Sequence, residues 1–346
     1  MWHDCSRPDA ALRVLAALLL CAVLVLFLGW KSVVRWLDAP LSSGEPVIAE
    51  LPAGGNLTRL LRELGERGVL DRPNWLRLHA RLSGVADQVR AGEYRIEPGL
   101  TPRALLAMLV AGKVVVYSVT LVEGNTATEL LARLHAQDRL QRTLDAPDAA
   151  TLARALELEP AAWPSAEGAF LPETYQYHRG MSDADVLRAA HAALAEALDE
   201  EWAMRAPGLP YASPYEALVM ASLVEKETGL AEERARIAGV FVRRLQQRML
   251  LQTDPAVIYG LGARFDGNLT REHLRAPGPY NTYLNPGLPP SPIANVGRAA
   301  IRAALQPAPG TELYFVARGD GSHQFSDTLE EHNRAVRRYQ LRRGGG

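Results

Sequence analysis

The pattern of apolar and polar positions divides this chain into an apolar N-terminal run, small strand–helix units and a helical C-terminal half. The run from Val14 to Trp30 carries no charge. At 1.5 Å per residue it covers roughly 26 Å, slightly less than the roughly 30 Å hydrocarbon core of a bilayer. Ala10 to Leu12 extend it, and Arg13 can snorkel to the interface. Gly29-Trp30-Lys31 is a poor cleavage site, so the run reads as an uncleaved anchor rather than a removed signal peptide. A core helix, the alternative, would not normally stand alone before a polar stretch. The pattern thus predicts a tail over 1–13, a membrane span over 14–30 and a linker over 31–46, of which Asp38–Pro46 is linker-like by composition.

An internal repeat follows. Leu51-Pro-Ala-Gly54, Thr58-Arg-Leu60-Leu61 and Leu64 match Leu121-Val-Glu-Gly124, Thr128-Glu-Leu130-Leu131 and Leu134 at one constant offset, with a shorter echo at Gly99-Leu-Thr101 and Leu105-Leu106. Each copy predicts a short strand, a glycine turn and a helix opened by a threonine cap. Such modules serve as binding domains or as spacers. The boundaries expected are a module over 47–118, a larger domain over 119–335 that begins with the second copy, and a basic tail over 336–346. The fold class is α+β: one N-terminal transmembrane helix, small β/α modules and a mixed helical and small-sheet domain.

The densest chemistry lies in 214–260. Ser213, Pro214 and Glu216 predict a capping box with proline at the first helical position, and Thr228-Gly229 predicts the stop. A second helix is expected over about Ala231 to Arg248, on the spacing of Ile237, Val240, Phe241 and Leu245. Glu216, Met220, Leu223 and Glu227 share one helix face, whereas Glu225 points toward the Leu218/Ala221 side. A carboxylate closing an apolar stripe is a candidate for burial, which raises its pKa and makes it a proton donor near neutral pH. The alternative is that Glu225, Lys226 and Glu227 form a solvated helix end.

Composition and charge narrow the rest. Net charge is −1 and no basic stripe with interleaved aromatics occurs, which argues against nucleic acid as a partner. The two cysteines, Cys5 and Cys21, fall in the tail and the span, leaving neither a disulfide framework nor a thiolate metal site in the remainder. No H-E-x-x-H, G-x-S-x-G, P-loop or dinucleotide fingerprint is present, and the spacing of His323 and His332 fits no common metal site. No cofactor or metal is expected. Ser222 and Lys226 are one residue too far apart for a Ser-x-x-Lys acyl enzyme. Phe170-Leu-Pro-Glu173-Thr-Tyr175, Leu251-Gln252-Thr253-Asp254-Pro255, Tyr280-Asn281-Thr282-Tyr283 and Gly287-Leu-Pro289-Pro290-Ser-Pro292 combine turns with Tyr, Asn and Gln, as a carbohydrate cleft does. Glu173, Gln252, Asp254, Tyr259, Asn281 and Tyr283 are the candidate sugar-binding residues. Leu313–Ala317 reads as a strand.

These motifs together carry a resemblance. ASLVEKET, LQTDPAVIYG, YNTY, GLPPSPI and YFVARGDGSHQFSDTLEEHN, in that order, resemble the YceG-like family of endolytic murein transglycosylases, from the anchor to about Asn333. The resemblance implies a single-pass inner-membrane protein with LysM-like modules and a catalytic domain in the periplasm, acting on nascent peptidoglycan strands. It implies that Glu227, the second acid of EKET, is the catalytic acid and base. One carboxyl group would protonate the bond between N-acetylmuramic acid and N-acetylglucosamine, then deprotonate the muramic 6-hydroxyl as it closes on C1 to a 1,6-anhydro end. Glu173 and Asp254 remain candidates for the second acid of a hydrolase. The segment Ile293-Ala294-Asn295-Val296-Gly297 has valine where proline is common in the family. A peptidoglycan synthase is an expected partner. The reading from another class is a non-enzymatic cell-wall binder or scaffold.

Overall fold

The computed structural model describes residues 8–340 except Ala53, with side chains from residue 12 onward. Cys5, Arg7 and the last six residues of the basic tail lie outside the described residues. The chain forms two compact units, one of residues 1–116 with 178–180, the other of 117–177 with 181–346. Among the described residues the sheets are three separate antiparallel pairs, so the fold is mixed α+β and predominantly helical.

In the first unit α1 (Pro8–Leu37) contains the apolar run. It is followed by β1 (Val47–Leu51), α2 (Leu57–Glu66), α3 (Pro73–Leu82), β2 (Gly92–Ile96) and α4 (Pro102–Ala111). β1 pairs with β2 from Val47↔Ile96 to Leu51↔Gly92. Leu60, Leu61 and Leu64 of α2, Leu76 and Ala80 of α3, Tyr94, and Leu105 and Leu109 of α4 build one core. The expected linker is corrected here. α1 does not stop at Trp30 but runs on to Leu37, and Leu37 and Leu41 are buried in that same core. The Leu41 amide donates to the Leu100 carbonyl at 2.8 Å, and Arg103 Nε donates to Asp38 Oδ1 at 2.7 Å. Composition marked 38–46 as polar, but its one leucine, Leu41, together with Leu37 just before it, docks the first half.

The second unit opens with β3 (Tyr117–Thr120), α5 (Ala127–His135), α6 (Ala149–Ala155) and β4 (Thr174–Tyr177), then α7 (Asp183–Ala203). β3 pairs with β4 from Tyr117↔Tyr177 to Thr120↔Thr174. The matching leucines, Leu130, Leu131 and Leu134, are buried in this unit as their counterparts are in the first. Gly54 and Gly124 both take left-handed φ, 73° and 77°, which only glycine adopts cheaply. The caps differ from expectation. Asn56 and Thr126 cap α2 and α5, two residues before Thr58 and Thr128; Thr101 caps α4. A cap residue must keep extended backbone with its oxygen on the N3 amide, and the chain enters each helix early enough to exclude Thr58 and Thr128.

The larger core belongs to α8 (Pro214–Glu227), α9 (Ala231–Gln246), α10 (Asp254–Leu261), the short α11 (Arg271–Arg275) and α12 (Arg298–Leu305), then β5 (Tyr314–Ala317), β6 (His323–Ser326) and α13 (Leu329–Tyr339). α8 is buried from Ala217 to Val224 on every face, packed by α7, α9, α10 and α12. Ser213 accepts from the Glu216 amide, but Glu216 turns its carboxyl to the Ala212 amide, one residue short of a reciprocal box. Thr228 leaves the helix in an extended conformation (φ −145°), so the stop needs no left-handed glycine at 229.

Asp183, fully buried at the start of α7, accepts from the Thr143 amide (2.9 Å) and hydroxyl (2.6 Å) and from the Leu144 amide (3.2 Å), and meets His135 Nε2 at 3.0 Å. Burial disfavours its charge, yet these hydrogen bonds outweigh it and hold the pKa below the ordinary value. Asp183→Ala should cost on the order of 2–4 kcal/mol in urea unfolding at pH 7. The stabilisation is present above the unfolded carboxyl pKa and fades as pH falls through the lowered native one, so the gap between wild type and variant should close in acid. A gap that does not change between pH 7 and pH 3 would remove this account.

Candidate active site

Glu227 reaches the site because α8 ends there. The last turn of a helix buried on all sides carries three charged residues, and each finds a different outlet. Lys226 is exposed and its Nζ donates to the Gly124 carbonyl at 3.0 Å. Glu225 accepts from the Gly297 amide at 3.3 Å; burial, then the Glu123 charge, raise its pKa. Glu227 lines a cavity of about 370 Å³. Desolvation pushes its pKa up to about 7, and the charge of Asp254 adds to the shift. The Thr253 hydroxyl and Arg244 oppose it, although Thr253 Oγ1 is not in hydrogen-bond geometry with any group. The helix-face argument from sequence discriminates less than expected, because Leu218 and Ala221 on the Glu225 side are as buried as Met220 and Leu223.

One wall of the cavity comes from the loop after α9 and the start of α10. Leu251, Gln252 and Asp254 line it together with Arg244 and Tyr283. Gln252 sits at φ 52°, a left-handed conformation that is costly for a side chain other than glycine or asparagine, and such strain concentrates at functional loops. Its amide donates to the Thr282 carbonyl at 3.1 Å. The Thr282 hydroxyl accepts from the Thr253 amide at 3.0 Å and donates to the Thr253 carbonyl at 3.2 Å. The buried Asn281 donates to the carbonyls of Leu274 (3.1 Å) and Ala276 (2.8 Å) and accepts from the Tyr283 amide (3.0 Å). The Asn-Thr pair thus laces two loops together, and Tyr283 projects from the lace. Its hydroxyl donates to Asp254 Oδ1 at 2.6 Å.

Four of the seven residues singled out from sequence, Glu227, Gln252, Asp254 and Tyr283, line this one cavity. Three do not. Asn281 is consumed by the backbone groups just described. Tyr259 packs edge-on against Tyr280 and donates to Glu167 Oε2 at 3.1 Å. Glu173 is exposed beside β4, where its carbonyl accepts from Leu121. Ser222 is also consumed: its hydroxyl donates to the Val219 carbonyl and accepts from the Ile293 amide, so it is no nucleophile. Val296 is buried in the core that α8 passes through, and Asn295 next to it bonds the Phe170 amide and the Asn125 carbonyl.

Several residues escaped the sequence reading. Arg244 is buried, with Nε donating to the Leu313 carbonyl (2.6 Å) and Nη1 to those of Leu250 (3.1 Å) and Leu251 (3.0 Å). The far wall is β5, β6 and α13, through Phe315, Val316, His323 and His332. His323 is held by Glu233, which binds its Nδ1 at 2.7 Å and its amide at 2.9 Å. His332 stacks on Tyr314, and its buried Nδ1 has no hydrogen-bond partner. Glu167 is 2% exposed, accepts from the Ala127 amide and Tyr259, and burial raises its pKa to about 7. Among the described residues no three His, Cys, Asp or Glu side chains gather as a metal ion would need.

Chemically the cavity offers a protonated carboxyl with an ionisable neighbour, a fixed guanidinium and one tyrosine. Comparisons with known proteins agree on the lineage. The model of the YceG-like family matches residues 49–338. The endolytic murein transglycosylase of Bacillus subtilis (strain 168) is 29% identical over 306 residues, covering 84% of this chain and 83% of its own. That of Streptococcus pneumoniae (strain D39) is 26% identical over 326 residues, 85% of this chain and 58% of its own. The crystal structure of a YceG-like protein from Listeria monocytogenes superposes with a TM-score of 0.53 at 29% identity, covering 84% of this chain and 99% of that one. A family match over 49–338, most of the sequence, means that the chain belongs to the YceG-like family.

Proposed function

We propose that this chain is a membrane-anchored lytic transglycosylase of peptidoglycan, and that Glu227 carries the reaction. The observation that supports it most is that Glu227 lines an open, polar cavity beside Asp254, where desolvation raises its pKa to about 7. The names of the relatives point to the same substrate. Protonated Glu227 donates to the glycosidic oxygen between N-acetylmuramic acid and N-acetylglucosamine as positive charge develops on the muramic C1. The resulting carboxylate takes the proton of the 6-hydroxyl, which attacks C1 and closes the 1,6-anhydro ring. The attacking group is part of the substrate, so its approach costs little entropy and no second carboxylate is required.

Asp254 then has two tasks. Its charge adds to the desolvation that keeps Glu227 protonated in the ground state, and it stabilises the positive charge that forms on C1. Tyr283 fixes the Asp254 carboxylate, and Gln252 bonds sugar hydroxyls. The cleavage is endolytic, in strands emerging at the inner membrane, with the tail over 1–13 cytoplasmic, α1 as the anchor and the chain beyond about residue 31 periplasmic. The small two-stranded unit of β1, β2 and their helices acts as a LysM-like glycan-binding module, and a peptidoglycan synthase is the expected partner. The presence of Asp254 in the same cavity favours one alternative, a two-carboxylate hydrolase. Mass spectrometry of digested peptidoglycan separates the two: anhydro ends are expected, and reducing ends would assign hydrolysis.

Glu227→Gln should fold and lose about 10²–10⁴-fold in turnover or more, since both proton transfers use that group; Glu225→Gln should change it little. The reverse pattern would overturn the assignment. Turnover should fall as pH rises through about 7, where Glu227 loses its proton. The same shift bears on stability: ionising a carboxyl whose pKa is raised costs folding energy, a cost absent below its ordinary value of 4.5 and full above about 7. Glu227→Gln should therefore be more stable than wild type at pH 8, by on the order of 2 kcal/mol, and equal to it at pH 4. Tyr283→Phe should lower turnover about 10-fold by freeing Asp254; unchanged turnover would detach Tyr283 from the site.

A further inference from the structure

The first unit carries an apolar surface that its own core does not use. α3 has two apolar faces. Leu76 and Ala80 are buried inward. Trp75, Leu78 and Leu82 fall on a second face at helical spacing, and Leu78 and Leu82 remain 56% and 76% exposed. This face lines an apolar groove of about 300 Å³ whose other wall is α1, through residues that include Leu26, Gly29 and Trp30. α3 begins beside the end of α1: Trp36 Nε1 donates to Asp71 at 2.7 Å, and the Trp36 and Trp75 rings meet edge-on at 5.8 Å. From Trp36 the groove reaches back to Val25, roughly 16 Å along α1, and the ten residues of α3 span roughly 15 Å. α3 therefore runs back along α1 beside the apolar stretch read as the membrane span.

Two further observations say what covers this face. The groove is continuous with α1 surface that the protein leaves bare, since none of its most apolar window is buried in the described structure. Whatever surrounds α1 at Leu26 and Gly29 also meets Leu78 and Leu82. Charge agrees: from Asp71 to Leu82 there are three arginines, Arg72, Arg77 and Arg81, and one acid, Asp71, which is already bound by Trp36. Arg72 lies over the Trp75 ring at 4.3 Å. Apolar residues with tryptophan on one face and arginines along the flank make an interfacial helix suited to anionic lipid.

We propose that α3 is embedded in the headgroup–acyl boundary of the membrane that α1 crosses, so that the first unit is seated on lipid through Trp75, Leu78 and Leu82. The proposal rests on the reading of α1 as a span and adds a second point of attachment to it. α1 continues without a break into the buried Leu37, so the unit has no flexible leash by which to leave the surface.

The test uses the full chain with Cys5→Ser and Cys21→Ser, an environment-sensitive fluorophore on a single introduced thiol, and vesicles containing phosphatidylglycerol. Val23→Cys reports on the span and Leu82→Cys on α3; both positions are exposed, so neither substitution threatens the fold. The label on Leu82→Cys should shift to the blue and be quenched by lipids brominated near the headgroup, while that on Val23→Cys is quenched by lipids brominated deeper. Adding Leu78→Asp should relieve the quenching at position 82 and leave that at 23. Quenching at 23 with none at 82 would overturn the proposal and leave the span standing. No quenching at either would fail the span reading and the proposal with it. A disulfide between two copies through Leu82→Cys, without lipid quenching, would assign the face to self-association instead.

Discussion

A helix with no solvent face can hold charge only at its ends, and α8 is such a helix. Eight consecutive buried residues, Ala217 to Val224, leave its C-terminal turn as the place where Glu225, Lys226 and Glu227 meet. That end is the negative pole of the helix dipole, which welcomes Lys226 and disfavours an ionised carboxylate. Desolvation acts on Glu227 in the same direction. The proton on Glu227 is thus held by the packing of the whole helical core, not by one neighbour.

The support around that carboxyl is equally indirect. Asn281 and Thr282 never reach the cavity, yet they hold the loop of Gln252 and Thr253 against the residues that carry Tyr283. Arg244 bonds three carbonyls through Nε and Nη1, those of Leu313, Leu250 and Leu251, and so joins the loop to the start of the β5–β6 hairpin. These bonds pre-organise the site, because each buried pair fixes the position of the segments it joins. The strained backbone at Gln252 persists because its neighbours over-determine it.

Local patterns were legible in the sequence. The apolar run, the start of α8 at Ser213 and Pro214, the strand at 314–317 and the leucine triplets all rest on periodicity or on residues within one turn of each other. What was not legible depends on partners far along the chain. Nothing in residue type distinguishes Tyr283, which reaches Asp254, from Tyr259, which is bonded to Glu167. Glu167 and His332 gave no signal because their environment is built by segments up to about a hundred residues away. Asp38–Pro46 misled for the converse reason: composition counts residues, and one buried leucine, Leu41, beside the buried Leu37 outweighs seven polar or turn-forming ones.

The repeat also bears on how the chain reaches this structure. α2 and α5 present the same leucine triplet to two different cores, each after a left-handed glycine and a strand. During folding either helix could occupy the other's place at little cost in burial, which is the condition for swapped or mispaired intermediates. Order of synthesis relieves the conflict. β1, α2, α3, β2 and α4 are complete by residue 111, before β3 and α5 leave the ribosome, so the first core closes on its own helix. Refolding from denaturant offers no such order and exposes both helices at once.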